Sequence, residues 1–182
     1  YCPSEGIPEL REAIANDVGS KRKVSYNVNN VIIQPGGKPT IWKFLSTVMN
    51  VGDDVLYPNP GYPIYESQIR YQGGNPIPYS YFETDRGFSI DCDELSKKIT
   101  NKTKILIYNN YQNPLSAASS KNEMEKLAEI AISNNLWVLS DDAYYEIRYT
   151  DKKPRSIVNI PGMKDRTVIL YTFSKKFAMT GW

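Results

Sequence analysis

Three stretches of the chain, TKILIYN (103–109), LWVLS (136–140) and TVILYT (167–172), are short and apolar almost throughout. A strand with one wet face alternates apolar and polar residues. A strand covered on both faces does not, so these runs point to a parallel sheet flanked by helices. DDVLYP (53–58), NVIIQ (30–34) and NPIPYS (75–80) read as further strands, the last weakened by its prolines. Helical patterns alternate with these runs. GIPELREAIANDV places Pro8 and Glu9 in a first turn and Leu10, Ala13, Ile14 and Val18 on one stripe. TIWKFLSTVMN (40–50), YPIYESQIRY (62–71) and IDCDELSKKI (90–99) follow. In SSKNEMEKLAEIAISNN (119–135), Ser120 and Glu123 make a capping-box pattern before a buried face of Met124, Leu127, Ala128 and Ala131. The expected fold class is therefore α/β: a mostly parallel sheet with helices on both faces, in three layers. Residues 150–165 are the longest loop-like stretch, and nothing in them marks a domain boundary.

Composition narrows the function. The chain has 182 residues, enough for one domain or a large piece of one. With 22 Lys and Arg against 20 Asp and Glu, it lacks the basic footprint of a nucleic-acid binder; KRK (21–23) reads as a solvated run. Cys2 and Cys92 have no metal-like spacing and do not suggest a disulfide framework. No apolar stretch has the length of a membrane span, and the first residues show no signal-peptide pattern. A soluble, cytoplasmic protein is expected, with no nucleic-acid or membrane partner. Histidine is absent, which excludes a Ser-His-Asp or Cys-His system within the chain. No metal site is expected. Any chemistry falls to Lys, Asp, Tyr or a cofactor.

In sheets of this kind, ligands bind outside the carboxyl ends of the strands. The segments that follow the strands are Gly36-Gly37-Lys38, PNPGY (58–62), NNYQNP (109–114), DDAYY (141–145) and TFSKK (172–176). Each brings polar, aromatic or glycine residues to one rim. Taken singly, each has a plainer reading. PGGK in isolation is an ordinary strand-to-helix turn, although its glycines also suit an anion at a helix start. Asp141 also suits a helix cap, Asn113 a turn before Pro114, and Lys175 with Lys176 a solvated pair.

The ordered combination is more specific. From GIPELR through PGGKP, YPNPGYP and SDDAYY to FSKKFAMTGW, the chain resembles the large domain of the class I/II, fold-type-I aminotransferases that depend on pyridoxal 5′-phosphate (PLP), the aspartate aminotransferase superfamily. That resemblance implies an enzyme that moves an amino group between an amino acid and a 2-oxo acid through a lysine Schiff base. It implies Lys175 as the Schiff-base lysine and general base, with Lys176 a structural or surface neighbour. Asp141 is implied as partner of the pyridine nitrogen. Tyr144 and Asn113 would bond the cofactor's phenolic oxygen, and Tyr62 would stack on its ring. Asp142 and Tyr145 receive no catalytic role. Gly36, Gly37 and Lys38 would cradle the phosphate, with Thr172 and Ser174 as further phosphate ligands. Tyr1 matches a tyrosine that reaches the phosphate of a neighbouring subunit, which implies a homodimer.

The chain also departs from the pattern. Where many relatives read N-x-P-x-N-P-T-G, it reads NNYQNPLS, and Ser116 replaces a glycine. The resemblance implies that residues 1–182 are a partial large domain, without an N-terminal segment, the arginine after TGW or a small C-terminal domain. Weak or no turnover is then expected of this stretch alone. The same scaffold serves two other readings: a PLP-dependent carbon–sulfur β-lyase, and a PLP-binding regulatory domain.

Overall fold

In a computed structural model that describes residues 1–85, 87–149 and 153–180, the chain forms a five-stranded parallel sheet between two layers of helices. The helices are α1 (Pro8–Arg22), α2 (Gly37–Val48), α3 (Ile64–Tyr71), α4 (Cys92–Lys97), α5 (Lys121–Ser133) and α6 (Phe173–Lys176). The strands are β1 (Asp54–Pro58), β2 (Asn75–Tyr79), β3 (Tyr81–Thr84), β4 (Gly87–Ile90), β5 (Thr103–Asn109), β6 (Trp137–Asp141) and β7 (Thr167–Leu170). The main sheet has the order β2-β1-β5-β6-β7, and β3 with β4 makes a separate antiparallel hairpin.

The continuous apolar runs still obey the strand period of two. Val55, Tyr57, Ile105, Ile107, Leu139 and Leu170 pack with Ile41, Phe44 and Leu45 of α2 and with Tyr65 and Ile69 of α3. Their neighbours Leu56, Leu106, Tyr108 and Val138 pack with Leu95 of α4 and with Met124, Leu127, Ala128 and Ala131 of α5. Both faces are dry, so no polar residue is needed on either. Each fully buried Leu or Ile in these strands contributes roughly 1.5–3 kcal/mol of transfer free energy.

The prolines of β2 are explained by its place at the edge of the sheet. Asn75 donates its N–H to Asp53 O (2.8 Å), and Tyr79 O accepts from Asn59 N (2.9 Å). Odd-numbered residues thus face β1, and Pro76 and Pro78 turn their backbone outward. The Lys98 ammonium caps the outward carbonyl of Pro78.

Several expectations are corrected. NVIIQ is not a strand: residues 28–30 form a 3-10 turn, and residues 31–34 run on without a ladder partner among the described residues. Val31 is extended (φ −123°, ψ 130°), but Ile33 N–H goes to Glu5 O (2.8 Å), not to a neighbouring strand. On α1, Ala13 is exposed, and the buried stripe is Ala15, Val18, Gly19 and Arg22. Half of the capping box forms. Ser120 Oγ accepts from Glu123 N (3.1 Å), while the Glu123 carboxylate takes the Ser119 hydroxyl (2.8 Å) and Ile90 N–H (3.3 Å). The loop-like 150–165 stretch carries two 3-10 turns, Ile157–Asn159 and Lys164–Arg166; residues 150–152 lie outside the described set. The end of FSKKFAMTGW, Gly181 and Trp182, also lies outside it. No helix among the described residues is long and apolar enough to cross a membrane.

Candidate active site

Asp141 is the last residue of β6, and the sheet buries it almost completely. Its Oδ2 accepts the Tyr65 hydroxyl at 2.6 Å and its Oδ1 accepts Ala143 N–H at 3.1 Å. Burial pushes its carboxyl up to about 6, against those two hydrogen bonds; the neighbouring Asp142 pushes the same way. Burial, and then the Asp141 charge, hold the Tyr65 hydroxyl well above its ordinary range, so Tyr65 remains a donor. The adjacent Asp142 has a different task. It faces Arg22 in a buried pair, with Nη2 at 2.6 Å and Nε at 3.0 Å of its Oδ2, and it accepts the Ser140 hydroxyl at 2.8 Å. The Arg22 guanidinium in turn stacks 3.8 Å from the centroid of the Tyr145 ring. Asp142 and Tyr145 therefore join α1 to the sheet.

The turns around Asp141 are locked to it and to each other. Asn109, at the end of β5, donates its amide to Asp141 O (2.8 Å) and accepts Asn113 N–H on its side-chain oxygen (3.0 Å). Gln112 donates to Pro60 O (2.6 Å) and accepts Leu115 N–H (2.8 Å), joining the 109–117 turn to the PNPGY turn. In the PNPGY turn, a Cβ on Gly61 would lie 2.1 Å from Pro58 O, so no larger residue fits ahead of Tyr62. The Tyr62 ring meets Tyr65 edge-on at 5.7 Å, which brings it beside the Asp141 partner. Ser116 stands at φ 55° and Tyr111 at φ 57°. The turn keeps a left-handed geometry although glycine is gone, a strain of about 1–2 kcal/mol per residue.

The start of α2 lies against the end of β7, which leads into the Lys175 segment. Gly36 has φ +91° and caps α2. Its N–H is engaged by Gln34 O (2.8 Å). The first-turn amides of Gly37 and Lys38 have no acceptor within the helix, which suits an oxyanion. Gly37 abuts Leu170 of β7: an added Cβ would meet its Cδ2 at 3.3 Å. After β7, Thr172 Oγ1 accepts Ser174 N–H (3.2 Å) and opens the four-residue helix α6. Lys175 is exposed, and its ammonium lies 5.6 Å from the Tyr144 ring centroid. Lys176 turns the other way and pairs with Glu146 (3.0 Å) and Asp17 (3.4 Å). A cavity of about 460 Å³ opens beside Asn113 and Tyr144. Tyr1 lies fully exposed at the start of the chain, outside the cluster.

The donor set has a consistent chemistry. Helix-start amides suit a phosphate, a buried carboxylate suits a cationic ring nitrogen, and an amine without an ion pair among the described residues suits an aldehyde. Two contributors were not legible in the sequence. Tyr65 is one of fourteen tyrosines, and its one signal is a spacing of three from Tyr62. Asn109 belongs to the NNYQNP segment, but its bracing of Asp141 and Asn113 depends on strand pairing.

The profile of the family "Aminotransferase class I and II" matches residues 1–182. The chain is 36% identical over 183 aligned residues to an aspartate aminotransferase of Pyrococcus abyssi, covering 100% of this chain and 47% of that protein. Among solved structures it is similar to N-succinyldiaminopimelate aminotransferase from Mycobacterium tuberculosis, with TM-score 0.96 and 30% identity over 100% of this chain and 48% of that one. It is also similar to an aromatic aminotransferase from Pyrococcus horikoshii OT3, with TM-score 0.94 and 34% identity over 100% and 49%. The chain spans about half the length of the curated relatives it matches.

Proposed function

The chain belongs to the class I and II aminotransferase family, and from that premise we propose that the protein containing it transfers an amino group between an amino acid and a 2-oxo acid. The family depends on PLP. When bound, this cofactor supplies an aldehyde that captures amines and a ring that accepts electrons as a bond to the α-carbon breaks. One observation carries the reading: a buried carboxylate ends β6, a tyrosine follows it by three residues, and 5.6 Å from the centroid of that ring lies the amine that follows β7, without an ion pair among the described residues.

In this reading each residue has a defined role. Asp141 would favour a proton on the ring nitrogen, with Tyr65 fixing its carboxylate and Asn109 its backbone. Tyr144 and Asn113 would bond the ring's phenolic oxygen, and Tyr62 would cover one ring face. The amides of Gly37 and Lys38, at the positive end of α2, hold the phosphate with the hydroxyls of Thr172 and Ser174; Gly36 contributes its backbone shape. The Lys175 amine would hold the cofactor through its aldehyde group and, as a free neutral amine, would serve as the general base for the α-proton of the substrate. The cavity beside Asn113 and Tyr144 leaves room for the amino acid.

Residues 1–182 are read as part of a larger PLP-binding domain. Homodimer formation, with Tyr1 reaching a neighbouring subunit, and a cytoplasmic location belong to the same reading. The names of the relatives favour group transfer over carbon–sulfur cleavage. The test is borohydride reduction of the PLP-loaded full-length protein followed by peptide mapping. The expected label is on Lys175; a label on Lys176, or none on Lys175, overturns the assignment.

A further inference from the structure

Lys176 and Glu146 hold nothing in the scheme above, yet they sit between its parts. Glu146 gathers three donors: Lys21 (2.8 Å), Lys176 (3.0 Å) and the Tyr171 hydroxyl (3.1 Å). Asp17 completes the cluster from α1, pairing with Lys21 (2.7 Å) and Lys176 (3.4 Å). Glu146 lies in the turn that carries Tyr144 just after Asp141. Tyr171 and Lys176 lie on either side of Lys175. A helix of four residues has no stability of its own, so α6 must be held from outside. The Lys176 and Glu146 side chains are only 19% and 20% exposed, where an ion pair is less screened than at the surface.

We propose that Glu146 and Lys176 are positioning residues. Their ion pair ties the turn of Asp141 and Tyr144 to the segment of Lys175, and so sets where the Lys175 amine sits. Because neighbouring side chains diverge, pinning Lys176 toward α1 directs Lys175 to the opposite side, over the Tyr144 ring. Burial opposes charge on Lys176, but the carboxylates of Glu146 and Asp17 hold its ammonium above the ordinary lysine range, so the tether stays charged at neutral pH. This inference rests on the reading of Lys175 as the cofactor-holding amine.

The experiment uses the full-length PLP-loaded protein and the pH titration of the bound cofactor's visible absorbance. Lys176→Met removes a cation and Glu146→Ala removes an anion, so a purely electrostatic influence shifts the two midpoints in opposite directions. Loss of position shifts both upward, by about one unit, because the hydrogen bond from Tyr144 that would favour the deprotonated form is lost in each. Lys176→Arg keeps the ion pair and is expected to restore the wild-type midpoint. Opposite shifts, or unchanged midpoints with only a lower melting temperature, overturn the proposal. If Glu146→Ala does not fold, Glu146→Gln is read in its place with the same two outcomes. Borohydride mapping of the wild type separates the two levels. A label away from Lys175 overturns the underlying assignment; a label on Lys175 with unmoved midpoints overturns the positioning role alone.

Discussion

Asp141 lies almost wholly out of water, with its carboxyl pushed up to about 6 chiefly by burial. The unfolded chain holds an aspartate near 3.9, so between those values the folded state binds the extra proton. Stability therefore falls as pH rises through that window, and the full penalty of about 2–3 kcal/mol remains above it. Asp141→Asn keeps an acceptor for Tyr65 and removes the charge. It is expected to stabilise the chain without cofactor by about 1–3 kcal/mol at pH 7 and by much less at pH 4. Urea denaturation at the two pH values checks this; equal effects at both would contradict it. The resemblance singles out Asp141, Tyr144 and Lys175 from the order of their motifs along the chain. The company they keep was not legible there. Tyr65 and Glu146 act through contacts across 76 and 30 residues of chain, and no local pattern marks such contacts.

Among the elements, those with a complete local signal were readable. α5 has a serine cap and a clean apolar stripe, and its buried residues are the four expected. β5 and β6 are dry on both faces, so their runs stand out. Residues 31–34 have strand-like composition, but a strand exists only where a partner supplies its ladder. The β3–β4 hairpin leaves no clear sequence signal because its residues are half-buried at most, apart from Ile90, and give no strong period. The 109–117 turn shows the opposite case: it survives a substitution that its geometry does not favour. Ser116→Gly is expected to relieve the left-handed strain and, after the greater chain entropy of glycine, to raise stability by roughly 0.5–1 kcal/mol. A chemical denaturation series measures it; a destabilised variant would show that the Ser116 side chain holds the turn.

At the scale of the molecule, three layers follow from one property, strands apolar on both sides, and that property was visible from the start. Strand order was not, since it depends on crossovers that the sequence does not encode locally. β2 lies outermost, and its two prolines leave no N–H on the outward side. The nearest outward carbonyl is taken by Lys98. Another chain's strand would find no donors on this side, and one of the outward acceptors is already taken. A double substitution, Pro76→Val with Pro78→Val, returns two outward amides. It is expected to leave the melting temperature nearly unchanged while raising light scattering at high concentration; equal scattering would mean that another feature protects the edge. The imino acids that make this segment look like a poor strand thus act as a stop on lateral growth.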